Sequence, residues 1–583
     1  MAEPQHSAGA FQASSVEEDV SSRRAPISRI WVSTGPIAAL VLLGGIVFGF
    51  HLGAYGLWEP DEARYAEIAR EMLATRDFLV PHLNYVLYVE KPPLLYWITA
   101  VSFSLFGYTE FAARLVSACA ALVGVLATYL FARRVFDRRR ALLSGAILTT
   151  IPLYAIMAQV LTTDMLLTAA VTAALFAFYL QWKEGGRWCW IAYAAIALGV
   201  LAKGPVAAVL PFLAGIIFLW WEHDFRRCLS RFRVIPGLIL TFVIAAPWFI
   251  YMIVRVPDYF SFYFIGEHLR RFLQSGYSHA EPIYFYLPVL ALGLLPWSII
   301  APFMCWRGMR PNPARRFCVI AAASIFVFFS LAQAKLIPYV MPALAPLAVL
   351  IADATIGALE APESGGRGAL VNPAGPKRLL IIAPIFGILG AGALLTVVFA
   401  PHFRTPYLPR ILPALGALGA IGLIGGALTG GAMLWRRANA GLAIAVITLA
   451  VAFAAGTYAR LETTPLRSYA KLGRIVAARA PEAKLICYRK YVQSLPFYTH
   501  RRVILAGSRT ELAFGARHAA DAKQYFFNDE RGLLRLWKRT EPTVIVLDVS
   551  DLERLKKRLQ PFTVIASEWK KRAIIKSVSS GAN

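Results

Sequence analysis

Long apolar runs dominate this sequence. Stretches of about 15–25 mostly uncharged residues recur along most of the 583-residue chain, against roughly 20 that a helix needs to cross a bilayer. The composition agrees, because 58% of the residues are hydrophobic and only 16% are charged, whereas an ordinary soluble domain has about 25% charged residues. The sequence therefore predicts a polytopic α-helical membrane protein and excludes a soluble enzyme, a coiled coil and a disordered chain.

Thirteen transmembrane helices are expected. They are predicted near residues 36–55, 111–132, 141–159, 161–181, 188–202, 204–221, 234–254, 285–305, 317–334, 336–354, 378–400, 411–434 and 440–458. The run 94–106 is too short for an untilted crossing, and we predict that it lies in the membrane interface. With this choice, the predicted cytoplasmic loops hold about twice as many Lys and Arg residues as the opposite loops, which the positive-inside rule favours.

The charge and the domain organisation follow from this topology. A formal net charge of +26 would suggest nucleic acid in a soluble protein, but cytoplasmic loops that face anionic lipid need a basic excess. We expect membrane lipids and no nucleic acid as partners. The predicted parts are a cytoplasmic tail (1–33), a transmembrane domain (34–458) with outer loops 56–110 and 255–284, and an outer α/β domain (459–583). That last part carries strand-like runs at 484–488, 502–507 and 543–548, with helix-like segments between them such as 552–559, and reads as a stabilising or docking module.

The first outer loop contains an amphipathic helix pattern, WEPDEARYAEIAREML at 58–73. Its apolar face has helical spacing and consists of Tyr65, Ile68, Ala69 and Met72. We predict that this face lies on the membrane, which places Asp61 and Glu62 at the start of the helix, near the mouth of the bundle. The alternative for Asp61 is that it only caps the helix.

Five features carry a resemblance to a known family. In chain order they are PDEARYAEIAREML (60–73), YVEKPPLLYW (88–97), Asp164, FIGEHLRRF (264–272) and AKLIPYVMPALAPL (334–347). Together they resemble the bacterial lipid A aminoarabinose transferases, which are membrane glycosyltransferases of the C-type fold related to protein O-mannosyltransferases. The resemblance covers roughly residues 35–460, and the first two motifs are the most specific.

The resemblance implies a function. Such a transferase moves 4-amino-4-deoxy-L-arabinose from undecaprenyl phosphate to a phosphate of lipid A, on the periplasmic face of the inner membrane. The outcome is a modified lipopolysaccharide and resistance to cationic antimicrobial peptides such as polymyxin, and we expect a monomer. One alternative is a transferase with another sugar or acceptor, such as a protein O-mannosyltransferase. Another is a lipid transporter or flippase, which should show internal repeats and broken helices near the membrane midplane.

Catalytic roles are expected for Asp61, Asp164 and Lys91. Carboxylates stabilise an oxocarbenium-like transition state, and a Lys in an apolar groove stabilises the departing lipid phosphate. Asp61 would act as a base only if the acceptor were a hydroxyl, because a phosphate acceptor is already ionised. For Asp164 the alternative is a polar cap on a span, and for Lys91 it is a surface ion pair or a lipid headgroup contact.

Further side chains are predicted to bind substrate. They are Glu62, Arg64, Tyr65, Tyr88, Glu90, Lys203, Arg270, Arg271, Lys335 and Tyr339. The tyrosines have an alternative role in an interfacial aromatic belt. Glu90 and His268 together form a candidate zinc site, with a structural His–Glu contact as the alternative. No other cofactor is expected, and the six cysteines show no metal-binding or redox spacing.

Overall fold

The computed structural model describes residues 34–225, 231–270, 280–300, 312–360, 376–400, 408–507 and 510–576. Within these ranges, the side chains of 268–270, 376–378 and 510 are not described. The predicted tail 1–33 and the candidate site residue Arg271 therefore lie outside the described residues, as do the side chains of His268 and Arg270.

Helices form most of the described residues up to 467. They are α1 Thr34–Gly49, α2 Asp61–Thr75, α3 Leu94–Phe106, α4 Glu110–Val135, α5 Arg138–Thr150, α6 Pro152–Ala158, α7 Thr163–Glu184, α8 Trp188–Lys203, α9 Val206–Glu222, α10 Val234–Arg255, α11 Tyr286–Gly293, α12 Pro313–Leu331, α13 Leu344–Glu360, α14 Ile382–Phe399, α15 Leu408–Leu434 and α16 Ala438–Arg467. A π-helix spans Ser261–Arg270, and a two-stranded hairpin, β1 His82–Leu83 with β2 Val86–Leu87, lies between α2 and α3.

The membrane architecture is confirmed, but the count of thirteen spans is not. Among the described residues, eight helices are long and apolar enough to cross a bilayer, or nine if α5 and α6, which meet at 65°, form one span. Four shorter apolar helices are α1, α3, α8 and α9. The predicted span 285–305 is represented in the described ranges by α11 and one 3₁₀ turn, Trp297–Ile299.

The sheet of the C-terminal domain confirms the predicted α/β character. Its strands are β3 Lys484–Tyr488, β4 Val503–Ala506, β5 Phe526–Phe527, β6 Thr543–Asp548, β7 Phe562–Glu568 and β8 Lys571–Lys576, in the order β5-β4-β3-β6-β8-β7. Strands β5, β4, β3 and β6 are parallel, and β8 and then the edge strand β7 extend the sheet beyond β6 by antiparallel pairing. The preceding helix α16 continues to Arg467. The predicted domain boundary at residue 459 stays a prediction.

Further helices of this domain are short. They are α17 Ala470–Arg479, α18 Ser494–Thr499, α19 Ala513–His518, α20 Ala522–Tyr525, α21 Glu530–Lys538 and α22 Val549–Leu559, with a 3₁₀ turn at Thr510–Leu512. The apolar residues of α22 recur at helical spacing, with Leu552, Leu555 and Leu559 buried against the sheet.

The two faces of this sheet pack against different parts of the molecule. Successive side chains of a strand point to opposite faces. Leu485 and Cys487 of β3 accordingly join a core with the first outer loop, whereas Ile486 and Tyr488 pack against α21 and α22. Both faces are thus covered, which is why the parallel strands read as continuous apolar runs.

The apolar face of α2 packs against protein and not against lipid. The helix forms as the sequence pattern predicts, but Tyr65, Ile68, Ala69 and Met72 are all buried in the core that α2 shares with α3 and the C-terminal domain. The prediction that this face lies on the membrane was therefore wrong. Helical periodicity identifies an apolar face, and the sequence alone does not tell which apolar surface will cover it.

Candidate functional site

A buried ion pair fixes the start of α2. The Glu62 carboxylate receives hydrogen bonds from Arg114 Nε at 2.8 Å and Nη2 at 2.7 Å, and also from the backbone N–H groups of Trp58 and Leu161. Arg114 donates its remaining hydrogens to the carbonyls of residues 52, 55 and 56. The side chains of Glu62 and Arg114 are 1% and 0% exposed, so Glu62 is placed as a structural anchor beside Asp61.

Asp61 itself faces away from this anchor. Its side chain is 54% exposed, and its Oδ1 lies 3.3 Å from Arg64 Nη1. The helix N-cap residue is Pro60, and no side-chain capping hydrogen bond forms there. The geometry therefore does not support a capping role for Asp61, and it leaves a charged carboxylate available to a ligand.

Arg64 connects Asp61 to the C-terminal domain. Its Nη2 lies 2.5 Å from Glu511 Oε2, and its Nε donates to Gln493 Oε1 at 3.0 Å. Its Nη1 reaches both Asp61 and, at 3.4 Å, the Tyr88 hydroxyl. Burial raises the pKa of Glu511 to about 7, and the Arg64 guanidinium opposes that rise.

The second motif continues this network. The Tyr88 hydroxyl donates to Glu90 Oε2 at 2.9 Å. Asp61, Arg64, Tyr88 and Glu90, from α2 and from the segment before α3, therefore form one chain of polar contacts.

A cavity of about 550 Å³ is lined in part by Lys91, the residue that follows Glu90 of this network in the chain. Its polar lining residues are Lys91, Lys203, Glu267 and Tyr339, and the other lining residues are apolar, among them Val206, Val209, Phe264 and Phe328. Lys203 forms an ion pair with Asp164, and its Nζ lies 4.4 Å from the centre of the Tyr339 ring. The cavity thus combines an apolar wall with two ammonium groups.

Tyr65 interacts electrostatically with both candidate catalytic carboxylates. Burial raises the pKa of Tyr65 well above its ordinary value, and the charges of Asp61 and Asp164 add to that rise. Its ring also packs against Tyr96, with centroids 6.0 Å apart. Both carboxylates therefore act electrostatically on the Tyr65 hydroxyl.

Lys335 takes a different position. Its Nζ donates to the carbonyls of Glu281 at 2.7 Å and Ala332 at 2.6 Å, and the residue is only 4% exposed. The described lining of the cavity includes Ala332 and Ala334 but not Lys335. Its role in substrate binding stays a prediction. In the structure its buried ammonium group links the backbone at Glu281 to the backbone at Ala332.

The zinc site also stays a prediction. Glu90 accepts a hydrogen bond from Tyr88, but the His268 side chain lies outside the described part of the structure. Within the described residues, no group of three or more His, Cys, Asp or Glu side chains is close enough together to hold a metal ion.

Three residues that pair with Glu62 or Arg64 were not among the site residues predicted from the sequence. Arg114 looked like an ordinary residue near the start of a span, and Glu511 and Gln493 lie in a domain without a recognisable motif. Gln493 is 429 positions from Arg64 along the chain, so no local pattern links the two.

The arrangement suits chemistry on a lipid-linked phosphate. An apolar cavity accepts a hydrocarbon tail, and ammonium groups in a low-dielectric site stabilise phosphate oxygens. A carboxylate close to the reacting sugar would stabilise the positive charge that develops on its ring.

The comparisons with known proteins agree with this geometry. Residues 90–251 match the family described as dolichyl-phosphate-mannose-protein mannosyltransferase, and residues 472–576 match the aminoarabinose transferase C-terminal domain. The crystal structure of ArnT from Cupriavidus metallidurans bound to undecaprenyl phosphate superposes with a TM-score of 0.82 at 27% identity, covering 94% of this chain and 99% of that one.

Curated relatives share one description, undecaprenyl phosphate-α-4-amino-4-deoxy-L-arabinose arabinosyl transferase. The relative from Shewanella sediminis is 32% identical, with 55% of this chain and 60% of that protein covered. The relative from Aeromonas hydrophila is 34% identical, with 59% and 63% covered, so these two matches span less than two thirds of the relatives' own length. The relative from Erwinia tasmaniensis is 32% identical over 402 residues, which are 66% of this chain and 70% of that protein. This chain therefore belongs to the family of undecaprenyl phosphate-aminoarabinose arabinosyl transferases.

Proposed function

We propose that this protein transfers 4-amino-4-deoxy-L-arabinose from undecaprenyl phosphate to a phosphate group of lipid A. The observation that carries the proposal is the apolar cavity lined by Lys91 and Lys203. The proposal adds to this cavity the exposed carboxylate of Asp61 at the start of α2. Support also comes from the related ArnT of Cupriavidus metallidurans, whose crystal structure is bound to undecaprenyl phosphate.

In the proposed reaction, the bond between the anomeric carbon and the oxygen of undecaprenyl phosphate breaks. The bonding electrons stay on that oxygen, where Lys91 stabilises the negative charge, and an oxygen of the lipid A phosphate forms the new bond to the anomeric carbon. Because that acceptor oxygen is already ionised near neutral pH, no base is required. Asp61 stabilises the positive charge on the sugar ring in the transition state.

The cavity also offers a partner for the sugar's amine. Asp164 is already paired with Lys203, so it orients that ammonium group toward the cavity. Glu267 in the cavity wall supplies a carboxylate for the amine of the donor sugar. Each transferred sugar adds one positive charge to lipid A, which weakens the attraction of cationic peptides such as polymyxin.

Mass spectrometry of lipid A tests this proposal. The gene is expressed in a strain that makes the donor but lacks its own transferase, and lipid A is compared with that of the empty strain. We expect a new species heavier by one aminopentose, together with increased resistance to polymyxin. Unmodified lipid A in cells that hold folded protein and donor would contradict it.

A second candidate is transfer of a polyprenyl-phosphate sugar to a protein hydroxyl. The match of residues 90–251 to the mannosyltransferase family favours it. In that case Asp61 would have to remove the hydroxyl proton. Glycosylated membrane proteins with unmodified lipid A in the same experiment would favour this candidate.

Lys91→Ala and Arg271→Ala are each expected to lower transfer at least about tenfold, because a charge-assisted contact to phosphate contributes roughly 1.5–3 kcal/mol. Initial rates of purified variants at saturating and subsaturating donor measure the effect. Lys570→Ala, which removes an exposed lysine of the C-terminal domain, is the control and should leave the rate unchanged. Normal rates for both variants would place Lys91 and Arg271 outside the site.

Finally, we propose that the active site and the C-terminal domain face the periplasm across the inner membrane. Cys487 is buried in β3, so a new exposed cysteine is the better probe. In a cysteine-free background, Lys557→Cys on α22 should react with a membrane-impermeant maleimide in intact spheroplasts, and Arg139→Cys at the start of α5 should react only after permeabilisation. The reverse pattern would invert the topology.

A further inference from the structure

The C-terminal domain contributes two side chains to the polar network around Asp61. Glu511 lies in the 3₁₀ turn Thr510–Leu512, and Gln493 directly precedes α18. Gln493 also donates a hydrogen bond to Glu511. The two residues therefore contact each other, and each of them contacts Arg64. The side chains of Arg64 and Glu511 are 13% and 16% exposed, which makes this a largely desolvated contact.

Docking of this domain against the first outer loop is extensive. Asn84 exchanges two hydrogen bonds with the backbone of Val503, both at 2.9 Å. The Glu59 carboxylate accepts the backbone N–H groups of Gln493 at 3.0 Å and Ser494 at 2.8 Å. The position of Gln493 relative to α2 is therefore fixed by contacts that do not involve Arg64.

The distances around Arg64 are unequal. Its contacts to Glu511 and Gln493 are 2.5 and 3.0 Å, whereas those to Asp61 and Tyr88 are 3.3 and 3.4 Å. Hydrogen bonds between charged groups normally lie near 2.7–2.9 Å. The guanidinium is thus held mainly by the C-terminal domain, and its charge is balanced mainly by Glu511.

We propose that Glu511 is a positioning residue for the transfer reaction. Glu511 holds the Arg64 guanidinium, and this keeps Arg64 from forming a close ion pair that would neutralise the Asp61 carboxylate. Without the negative charge of Glu511, the Arg64 guanidinium turns to the exposed carboxylate of Asp61 three residues before it. A carboxylate closely paired with arginine stabilises a developing positive charge less well, because its own charge is already compensated. This inference rests on the proposed function with Asp61 as its catalytic carboxylate.

Kinetics of Glu511→Gln test the proposal, at pH 8 so that the wild-type carboxylate is ionised. The exchange keeps the size and a hydrogen-bond acceptor but removes the charge. We expect kcat to fall roughly tenfold to a hundredfold, with KM for the undecaprenyl-phosphate sugar unchanged. Glu511→Asp, which keeps the charge, should recover at least part of kcat. Glu530→Gln is the control, because Glu530 is paired with Arg554 and Arg558 elsewhere in the same domain and is 24% exposed.

A double-mutant cycle separates positioning from a purely structural role. If Glu511 acts through Arg64, Glu511→Gln should change kcat by less than about twofold in an Arg64→Ala background. A wild-type kcat for Glu511→Gln would overturn the proposal, as would an undiminished loss in the Arg64→Ala background. If Glu511→Gln does not fold, Glu511→Asp is measured in its place. A wild-type kcat for Glu511→Asp overturns the proposal. A loss of kcat that disappears when Glu511→Asp is combined with Arg64→Ala supports it. Absence of lipid A modification by the wild type would instead refute the proposed function itself.

Discussion

Asp61→Asn is expected to lower the rate of sugar transfer at least about a hundredfold and to leave the fold intact. The exchange conserves the shape of the side chain and removes its charge. Asp61 makes no capping hydrogen bond, and its side chain is 54% exposed, so little stability depends on the carboxylate. The charge is needed in the transition state, where the anomeric carbon becomes positive.

The measurement is the initial rate of transfer from the undecaprenyl-phosphate sugar to lipid A by purified protein in vesicles. Thermal unfolding of the same sample checks the fold. Asp258→Asn provides a matched control, because Asp258 is an exposed carboxylate whose left-handed backbone, with φ of 61°, suits Asn equally well. A normal rate for Asp61→Asn at normal folded yield would make Asp61 a structural residue and would refute its catalytic assignment.

Local patterns in the sequence predicted the elements of the fold well. Helix α3 begins and ends at the predicted residues, Leu94 and Phe106, and the strand 543–548 has the predicted bounds. These elements depend on short-range periodicity and on the apolar runs of strands buried on both faces. The number of spans is harder to predict, because helices such as α8 and α9 are shorter than the bilayer is thick, and helix length alone does not settle whether they cross.

The polar contacts could be anticipated from the sequence where the residues share a motif or lie at the same ends of neighbouring predicted spans. Asp61, Arg64, Tyr88 and Glu90 lie within two neighbouring motifs, and the structure joins them by hydrogen bonds. The ion pair between Asp164 and Lys203 joins the start of α7 to the end of α8, the next helix in the chain. Those contacts follow from the predicted topology, which places both residues at the outer ends of spans.

The assignment of Glu62 shows what the sequence could not reveal. Its position next to Asp61 in an acidic pair suggested substrate binding. That role stays a prediction. The structure pairs Glu62 with Arg114, which is 52 positions away and belongs to a helix whose packing the sequence does not specify. A buried charge needs a partner, but the partner's identity depends on the tertiary fold.

Glu62→Ala should therefore act on stability, and by a large amount. Removing one member of a buried ion pair leaves the other charge without compensation, which typically costs about 3–5 kcal/mol. Here Arg114 would keep its backbone partners at residues 52, 55 and 56 but lose both contacts to a carboxylate. The N–H groups of Trp58 and Leu161 would also lose their acceptor.

Thermal and denaturant-induced unfolding of the detergent-solubilised protein measure this effect, with Glu184→Ala as the control. Glu184 pairs with Arg134 at 2.9 Å, but both side chains are about one third exposed, and such surface pairs contribute at most about 1 kcal/mol. We expect a marked fall in unfolding temperature and in folded yield for Glu62→Ala, and little change for Glu184→Ala. Equal effects of the two substitutions would contradict the anchoring role. Because the Glu62 anchor holds the backbone on which Asp61 sits, the surviving folded fraction of Glu62→Ala should also transfer sugar more slowly, whereas Glu184→Ala should retain the wild-type rate.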